Sequence, residues 1–256
     1  MANNNKIIFQ SKGNIGTILL NNPEKHNAFD FDMIKSLDEV LEEIKGSKLK
    51  VIILKGMGKS FCSGGDIKWE RKIGSLDAEE TKKQMKFVQD VFSKIEALPH
   101  VFIAVIQGHA VGGGNELAMA CDIRVALPSA KFGHPEISLA TVPPIGGTKR
   151  LPRLIGLGRA KYMLFTGNSI DSKTALEWGL ADFLVPEEQI NQFLDSIASK
   201  IASHSKKVLG LIKASATKNY AADLMDNLEL GFYVECSRRD ENKKMLDKFL
   251  EKSNNF

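Results

Sequence analysis

Apolar residues along the chain occur in two patterns, which predict two kinds of element. A short continuous apolar run predicts a buried strand, and apolar residues three and four positions apart predict the inner face of a helix. The predicted strands span residues 6–10, 15–20, 51–54, 101–106, 122–126 and 130–133. The first two long helices begin after Asp30 and Asp77, whose side chains can cap them, and end near Lys45 and Pro99.

From Pro143 onward the pattern is helical almost to the end of the chain. Strands alternate with helices early and helices dominate late, which predicts an α/β core followed by a helical C-terminal region. We divide the chain into a catalytic core, residues 1–200, and a helical region, residues 201–256. The last ~50 residues carry too little apolar surface for a core of their own, so we expect them to pack on the body or on another subunit.

Composition narrows the class of protein only slightly. The 256 residues suffice for one large domain, and a hydrophobic fraction of 43% is ordinary for a globular chain. The net charge of +4 favours a small anionic ligand as readily as a nucleic acid. The three cysteines, Cys62, Cys121 and Cys236, show no metal-binding spacing and predict a reducing, cytoplasmic setting. We expect neither a secretory signal nor a membrane span.

The most informative segment is the glycine run of residues 111–117, which ends in Glu116. It follows a predicted strand and precedes the first turns of a predicted helix. Three glycines let the backbone approach a ligand and leave amide N–H groups free to point at it. A carboxylate beside such donors is what enolate chemistry requires, since the donors hold negative charge and the carboxylate moves a proton.

Two further segments resemble the glycine run in composition. Residues 60–67 follow a strand and contain two glycines, and residues 132–136 hold a second carboxylate, Glu136, followed by the glycine-rich segment 142–148. Loops on one rim of an α/β core can meet at a single site. We therefore expect two backbone donors to form an oxyanion hole, with Glu116 and Glu136 as base and acid beside it.

Each candidate also has a structural interpretation. A glycine loop can be only a turn, and Asp66 is better explained as a helix cap than as a catalytic group. His134 is expected to pack or to orient a neighbour, because no serine or cysteine motif accompanies it. Cys62 lacks a neighbouring cation in sequence, so we expect an inert thiol. The glycine runs match neither a P-loop nor a dinucleotide fingerprint.

Several motifs in order resemble the enoyl-CoA hydratase/isomerase (crotonase) family over nearly the whole chain. The matching segments are residues 22–28, 61–67, 108–117, 121–122, 132–136, 146–148, 150–153 and 175–181. The resemblance implies an α/β fold, a crotonase-like spiral of ββα units with two stacked sheets, and a helical C-terminal trimerisation region. It implies an acyl-CoA thioester substrate and a homotrimer or a dimer of trimers.

The resemblance also assigns roles to residues. The thioester oxygen would sit between the backbone N–H groups of Ser63 and Gly113. Glu116 and Glu136 match the two catalytic glutamates of the family's hydratases. The residues expected beside coenzyme A are Lys25, Ala28, Gly64, Gly65, Asp66 and Ile67. No cofactor is expected besides the coenzyme A that the substrate carries, and no metal.

The two glutamates favour a hydratase that adds water syn across a 2-enoyl-CoA, because the family's isomerases commonly lack the first. An isomerase, a decarboxylase or a hydrolase of acyl-CoA is the alternative within the family. An RNA-binding protein is the alternative outside enzymes, but acidic residues interrupt the lysine-rich segment 200–252, which is typical of a solvated helix face.

Two departures from the family pattern bear on the reaction. Pro144 stands where the hydratases often have a glycine whose N–H helps to position water, and proline has no N–H. Lys243 and Lys244 stand where the family usually has an acidic residue and a glycine, a departure at the subunit and coenzyme A phosphate contacts of the last helix.

Overall fold

The computed structural model describes residues 6–218 and 224–253, and within them the chain forms two sheets. The larger sheet contains β1 (Ile7–Lys12), β2 (Ile15–Leu20), β3 (Val51–Gly56), β4 (Val101–Ile106), β6 (Ile123–Ala126) and β9 (Phe183–Leu184), in the order β1-β2-β3-β4-β6-β9. The smaller sheet contains β5 (His109–Val111), β7 (Lys131–Gly133) and β8 (Ile170–Asp171), in the order β5-β7-β8. The pairs β1–β2 and β7–β8 are antiparallel and the other pairs are parallel.

Helices connect and cover the strands. They are α1 (Phe31–Lys45), α2 (Ile67–Gly74), α3 (Ala78–Ala97), α4 (Gly113–Ala120), α5 (Gly147–Ile155), α6 (Leu157–Thr166), α7 (Ser172–Trp178), α8 (Ile190–Ala202), α9 (Lys206–Lys218), α10 (Leu224–Ser237) and α11 (Asp240–Ser253). Single turns of 3₁₀ helix occur at Pro23–Lys25, Pro135–Leu139 and Glu187–Gln189. Two sheets with a helical C-terminal region confirm the predicted fold class.

The predicted helix starts are confirmed. The Asp30 carboxylate accepts from the Met33 N–H at 3.0 Å, and the Asp77 carboxylate accepts from the Glu80 N–H at 2.8 Å, so each satisfies a first-turn donor. The sequence pattern did not reveal β5, β8 and β9, and of α2 it indicated only the cap. These strands have two or three residues each, which is too short for periodicity to register.

The parallel part of the large sheet is buried on both faces, as its continuous apolar runs require. Along β4, Phe102, Ala104 and Ile106 face the larger apolar cluster, which also holds the inner faces of α1 and α3. Ile103 and Val105 face a second cluster with Leu194 and Ala198 of α8. Side chains that alternate between two apolar layers fix the register of the strands, because a slip of one residue would exchange the layers.

The C-terminal helices pack on the body of the same chain. Lys213 of α9 is buried, and its Nζ donates to the carbonyl oxygens of Ile95 and His100 and to Asp122 Oδ2, at 2.8, 2.9 and 2.8 Å. The Asn242 amide of α11 donates to the Leu139 carbonyl at 2.5 Å. The prediction that the C-terminal helices pack on the body of the chain is therefore confirmed. A role of residues 201–256 in trimerisation stays a prediction.

Candidate active site

The three loops singled out in the sequence meet at one edge of the small sheet. Cys62 N–H donates to the His109 carbonyl at 2.9 Å, and Val111 N–H donates to the Cys62 carbonyl at 3.1 Å, so the first loop pairs with β5. Gly112 N–H donates to the Gly133 carbonyl at 3.0 Å, which joins the glycine run to the third loop. The predicted convergence is confirmed.

The glycine run requires glycine because other groups approach its backbone closely. A Cβ at Gly113 would lie 2.6 Å from Cζ of Phe29, and one at Gly114 would lie 2.1 Å from the Cys62 carbonyl oxygen. Gly112 has φ 55°, in the region that favours glycine. Helix α4 begins at Gly113, so the N–H of Gly113 belongs to the first turn and has no acceptor within the helix. The donor predicted at Gly113 is therefore correctly placed at a helix start.

The donor predicted at Ser63 is wrong. The Ser63 N–H donates to the His26 carbonyl at 3.0 Å, within the contact that holds the loop to the preceding turn. A donor used in this way cannot also receive a ligand oxygen.

The N–H of Gly65 is oriented differently from that of Ser63. Phe29 N–H donates to the Gly64 carbonyl at 2.9 Å, and Asp66 N–H donates to the Phe29 carbonyl at 2.7 Å. This is the pattern of a parallel bridge between Phe29 and Gly65, in which the N–H of Gly65 points away from Phe29. Across the loop, a Cβ at Gly64 would lie 3.2 Å from the Gly113 nitrogen, so the two donor segments are adjacent.

Glu116 is the most buried carboxylate of the site, with 0% of its surface exposed. It lies in α4, one turn after Gly113. Its Oε1 accepts two backbone N–H groups, from Ile145 and Gly147, each at 2.7 Å. These two bonds fix the orientation of the carboxylate, and nothing in the sequence pattern identified the donors beyond the glycines at 146 and 147.

The loop that holds Glu116 is itself fixed by two buried side chains. Gln89 Nε2 of α3 donates to the Pro144 carbonyl at 2.8 Å. Arg150 Nη1 donates to the Ile145 carbonyl at 2.6 Å, and its Nη2 pairs with Glu96 Oε2 at 2.5 Å. Because both ends of the loop are bonded, its N–H groups are aimed at Glu116 before any ligand arrives.

Glu136 lies in the 3₁₀ helix Pro135–Leu139 and is 8% exposed. Its Oε1 is 3.3 Å from Nδ1 of His134, whose Nε2 is 3.1 Å from the side-chain amide nitrogen of Asn115. Because an amide nitrogen only donates, His134 Nε2 is the acceptor and Nδ1–H donates to Glu136. His134 therefore orients a neighbour, as predicted. Glu136 Oε2 is buried and has no hydrogen-bond partner among the described residues.

Both glutamates lie close to glycines of these loops, Glu116 to Gly147 and Glu136 to Gly112. A Cβ at Gly147 would be 3.0 Å from Glu116 Oε1 and 3.1 Å from Cε1 of His134, the residue bonded to Glu136. A Cβ at Gly112 would be 3.6 Å from Glu136 Oε1. The structure thus places both carboxylates beside the turn that carries the Gly113 donor.

The residues predicted beside coenzyme A lie together on the turn 22–28 and the loop 60–67. Lys25 Nζ pairs with Asp66 Oδ2 at 2.5 Å, and Asp66 Oδ1 accepts from the N–H groups of Lys68 and Trp69, so its predicted role as a helix cap is confirmed. Ala28 is buried, and Ile67 is the first residue of α2. Gly64 and Gly65 stand between them.

Other features of this region bear on ligands. Burial raises the pKa of the Cys62 thiol to about 12, which makes it inert as predicted.

A basic cleft of about 610 Å³ lies between α2 and α11, lined by Lys68, Arg71, Lys72, Ser75, Lys243 and Leu250. Within residues 6–218 and 224–253 no cluster of three potential metal-ligating side chains occurs, and no helix has the length and apolar character needed to cross a membrane.

A third carboxyl, Glu70 of α2, was not identified from the sequence. Its side chain leans back over the preceding loop. A Cβ built at Gly65 would lie 2.2 Å from Glu70 Oε1. Burial, together with the charges of Glu136 and Asp66, raises the pKa of Glu70 to about 8. The available signal was its position one helical turn after the cap Asp66.

Comparison with known proteins identifies the family of this chain. The family model for enoyl-CoA hydratase/isomerase matches residues 10–256. A short-chain-enoyl-CoA hydratase of Clostridium acetobutylicum is 34% identical over 97% of this chain and 95% of its own length. A crotonyl-CoA hydratase of Syntrophomonas wolfei is also 34% identical, over 96% of this chain and 95% of its own.

A solved structure gives the same result for the fold. The enoyl-CoA hydratase from Bacillus anthracis is 33% identical and superposes with a TM-score of 0.79, covering 96% of each chain. With the family match across nearly all residues, the two relatives and this superposition, the chain belongs to the enoyl-CoA hydratase/isomerase family of enzymes.

Proposed function

We propose that this protein hydrates short 2-enoyl-CoA thioesters. The observation that carries the proposal is that both carboxylates lie beside the turn that presents the Gly113 N–H. Glu116 stands one helical turn after Gly113, and Glu136 Oε1 is 3.6 Å from a Cβ built at Gly112. The relatives named for short-chain-enoyl-CoA and crotonyl-CoA hydration support the choice of substrate.

The N–H groups of Gly65 and Gly113 would each donate a hydrogen bond to the thioester oxygen. As the β-carbon is attacked, negative charge moves onto this oxygen, and donors already fixed in place hold that charge without reorganising. The first turn of α4 adds a partial positive charge at Gly113. One such donor is typically worth about 10²–10³ in rate.

The two glutamates would hold the water and move its proton. The water oxygen forms a bond to the β-carbon while its proton passes to one glutamate carboxylate, and the other glutamate, protonated beforehand, gives a proton to the α-carbon. With both carboxylates on one face of the bound enoyl group, the addition would be syn. Glu136 Oε2, which is buried and unpartnered among the described residues, is available to accept from the water.

Coenzyme A would lie across the turn 22–28 and the loop 60–67, with its phosphates toward Lys25 and the basic cleft between α2 and α11. A homotrimer or a dimer of trimers and a cytoplasmic location stay predictions. Apolar side chains of α6 and α9 that an assembly would cover are exposed, among them Phe165 at 72% and Ile212 at 62%.

The test is incubation of purified protein with crotonyl-CoA and, separately, with but-3-enoyl-CoA. We expect 3-hydroxybutyryl-CoA from crotonyl-CoA, with the oxygen derived from solvent, detected by mass spectrometry in labelled water. In deuterium oxide the product should carry deuterium and hydroxyl added to the same face. Conversion of but-3-enoyl-CoA to crotonyl-CoA without any hydration would instead establish the isomerase, which the missing N–H at Pro144 favours.

Substitution of Pro144 measures how the water is held. Pro144→Gly and Pro144→Ala each supply an N–H, and one added hydrogen bond to the water, worth about 0.5–1.5 kcal/mol, should raise kcat for crotonyl-CoA roughly two- to tenfold. The control is Pro186→Ala, which removes a proline outside the site. An unchanged kcat in both Pro144 variants would show that the backbone at this position does not contact the water.

A further inference from the structure

We propose that Glu70 is a specificity-determining residue that hydrogen-bonds a hydroxyl group on the acyl chain. The inference rests on the proposed function, because it assumes that the acyl part of a CoA thioester reaches this carboxyl. It names the acyl class as short chains with a hydroxyl near the reacting carbons.

The position of Glu70 is set by α2. The helix begins immediately after Asp66, so Glu70 stands one turn into it, and its side chain leans toward the N-terminus over Gly65. Gly65 carries the donor assigned to the thioester oxygen. A group over Gly65 therefore lies within reach of the first atoms of an acyl chain bound there.

The surroundings of Glu70 supply no partner for its carboxyl. Among the described residues it makes no side-chain hydrogen bond or ion pair, although Asp66 beside it is paired with Lys25. Helix α10 brings buried Tyr233 close enough for the charge of Glu70 to help raise the pKa of that phenol, after burial itself. The carboxyl is half-buried, so a ligand hydroxyl can make the hydrogen bonds that no side chain among the described residues supplies.

A second observation close to Glu70 points to a ligand. Glu136 Oε2 is buried and unpartnered within the part of the chain that the structure describes, and the charge of Glu136 acts on Glu70. With a pKa of about 8, Glu70 is mostly protonated at neutral pH, so it can both donate and accept a hydrogen bond. A hydroxyl is the substituent that matches both capacities, and a long aliphatic tail matches neither.

The test compares affinity for two saturated thioesters, 4-hydroxybutyryl-CoA and hexanoyl-CoA, by calorimetry. In the wild type we expect the hydroxylated ligand to bind at least tenfold more tightly. Glu70→Leu should reverse this ratio or bring it to one, since leucine offers no hydrogen bond and suits an alkyl chain. Glu70→Gln, which still bonds a hydroxyl, should keep most of the preference.

Controls keep the outcome interpretable. Glu79→Leu, at an exposed glutamate of the next helix, should leave the ratio unchanged. If Glu70→Leu fails to fold, Glu70→Met repeats the test with an unbranched side chain. An affinity ratio in either folded variant equal to that of the wild type, or no preference in the wild type, overturns the inference.

Turnover of crotonyl-CoA, measured on the same preparations, separates the two proposals. Loss of the affinity difference with hydration intact would remove the role of Glu70 alone. Absence of hydration with the affinity difference intact would overturn the proposed function and leave the assignment of Glu70 in place.

Discussion

Replacement of Glu116 or Glu136, the two glutamates proposed to move the proton, by glutamine is expected to lower kcat for crotonyl-CoA hydration by about 10²–10⁴. In Glu116→Gln the amide oxygen can still accept the N–H groups of Ile145 and Gly147, so the loop and the fold are retained while the proton acceptor is lost. In Glu136→Gln the contact with His134 can persist for the same reason. Steady-state assays with crotonyl-CoA measure the effect.

The matched control is Glu43→Gln, which removes a carboxylate from an exposed position on α1 and should leave kcat unchanged. Affinity for a saturated acyl-CoA should stay within a few-fold of the wild type in both site variants, because neither glutamate is assigned to the coenzyme. Wild-type turnover in both site variants would remove the assigned roles, whatever reaction the protein performs.

Replacement of Lys213 by alanine is expected to give the largest loss of stability. Lys213 is 8% exposed and donates to two carbonyl oxygens and to Asp122. Burial raises the pKa of Asp122 even with Lys213 beside it, so removal of the lysine leaves a poorly solvated carboxyl without its cation. Breaking a buried pair from one side costs about 3–5 kcal/mol, which corresponds to a fall in Tm of roughly 10 °C.

Thermal unfolding followed by circular dichroism at fixed protein concentration checks this expectation. Lys207→Ala, at an exposed lysine on the same helix, should shift Tm by little. Adding Asp122→Asn to Lys213→Ala should recover part of the loss, since a neutral amide costs less to bury than an unpaired carboxylate. A Lys213→Ala protein as stable as the wild type would show that α9 is not fastened by this contact.

Much of the fold could be predicted because most of its strands and helices have a distinct sequence pattern. The strands of the large sheet are continuous apolar runs, and the helices after Asp30 and Asp77 have both caps and periodicity. Helix α2 has only eight residues of mixed polarity, so its cap, Asp66, was the only indication of it in the sequence. The lysine-rich end of the chain predicted a solvated helix face, but Lys213 within it is buried. A pattern of charges along a sequence does not show which lysine pairs with a buried carboxylate.

The sequence predicted which segments form the site, but it did not predict which backbone N–H groups face a ligand. Glu116, Glu136 and the Gly113 donor lie together as expected. The donor assigned to Ser63 was two residues from the one available, because which N–H of a loop faces a ligand depends on how that loop pairs with Phe29, a residue more than thirty positions earlier. Gln89 and Arg150 were missed for the same reason, since they act on the loop from α3 and α5.

The two prolines that open the Glu116-binding loop have a consequence for the unfolded chain. Each proline restricts the backbone before folding as well as after it, and a proline that fits its native conformation adds about 0.4–1 kcal/mol by lowering the entropy of the unfolded state. Pro143 and Pro144 therefore reduce the entropic cost of ordering the segment that aims two N–H groups at Glu116. Proline at position 144 orders the loop but supplies no hydrogen-bond donor, so Pro144→Gly should unfold more easily even if water attack becomes faster.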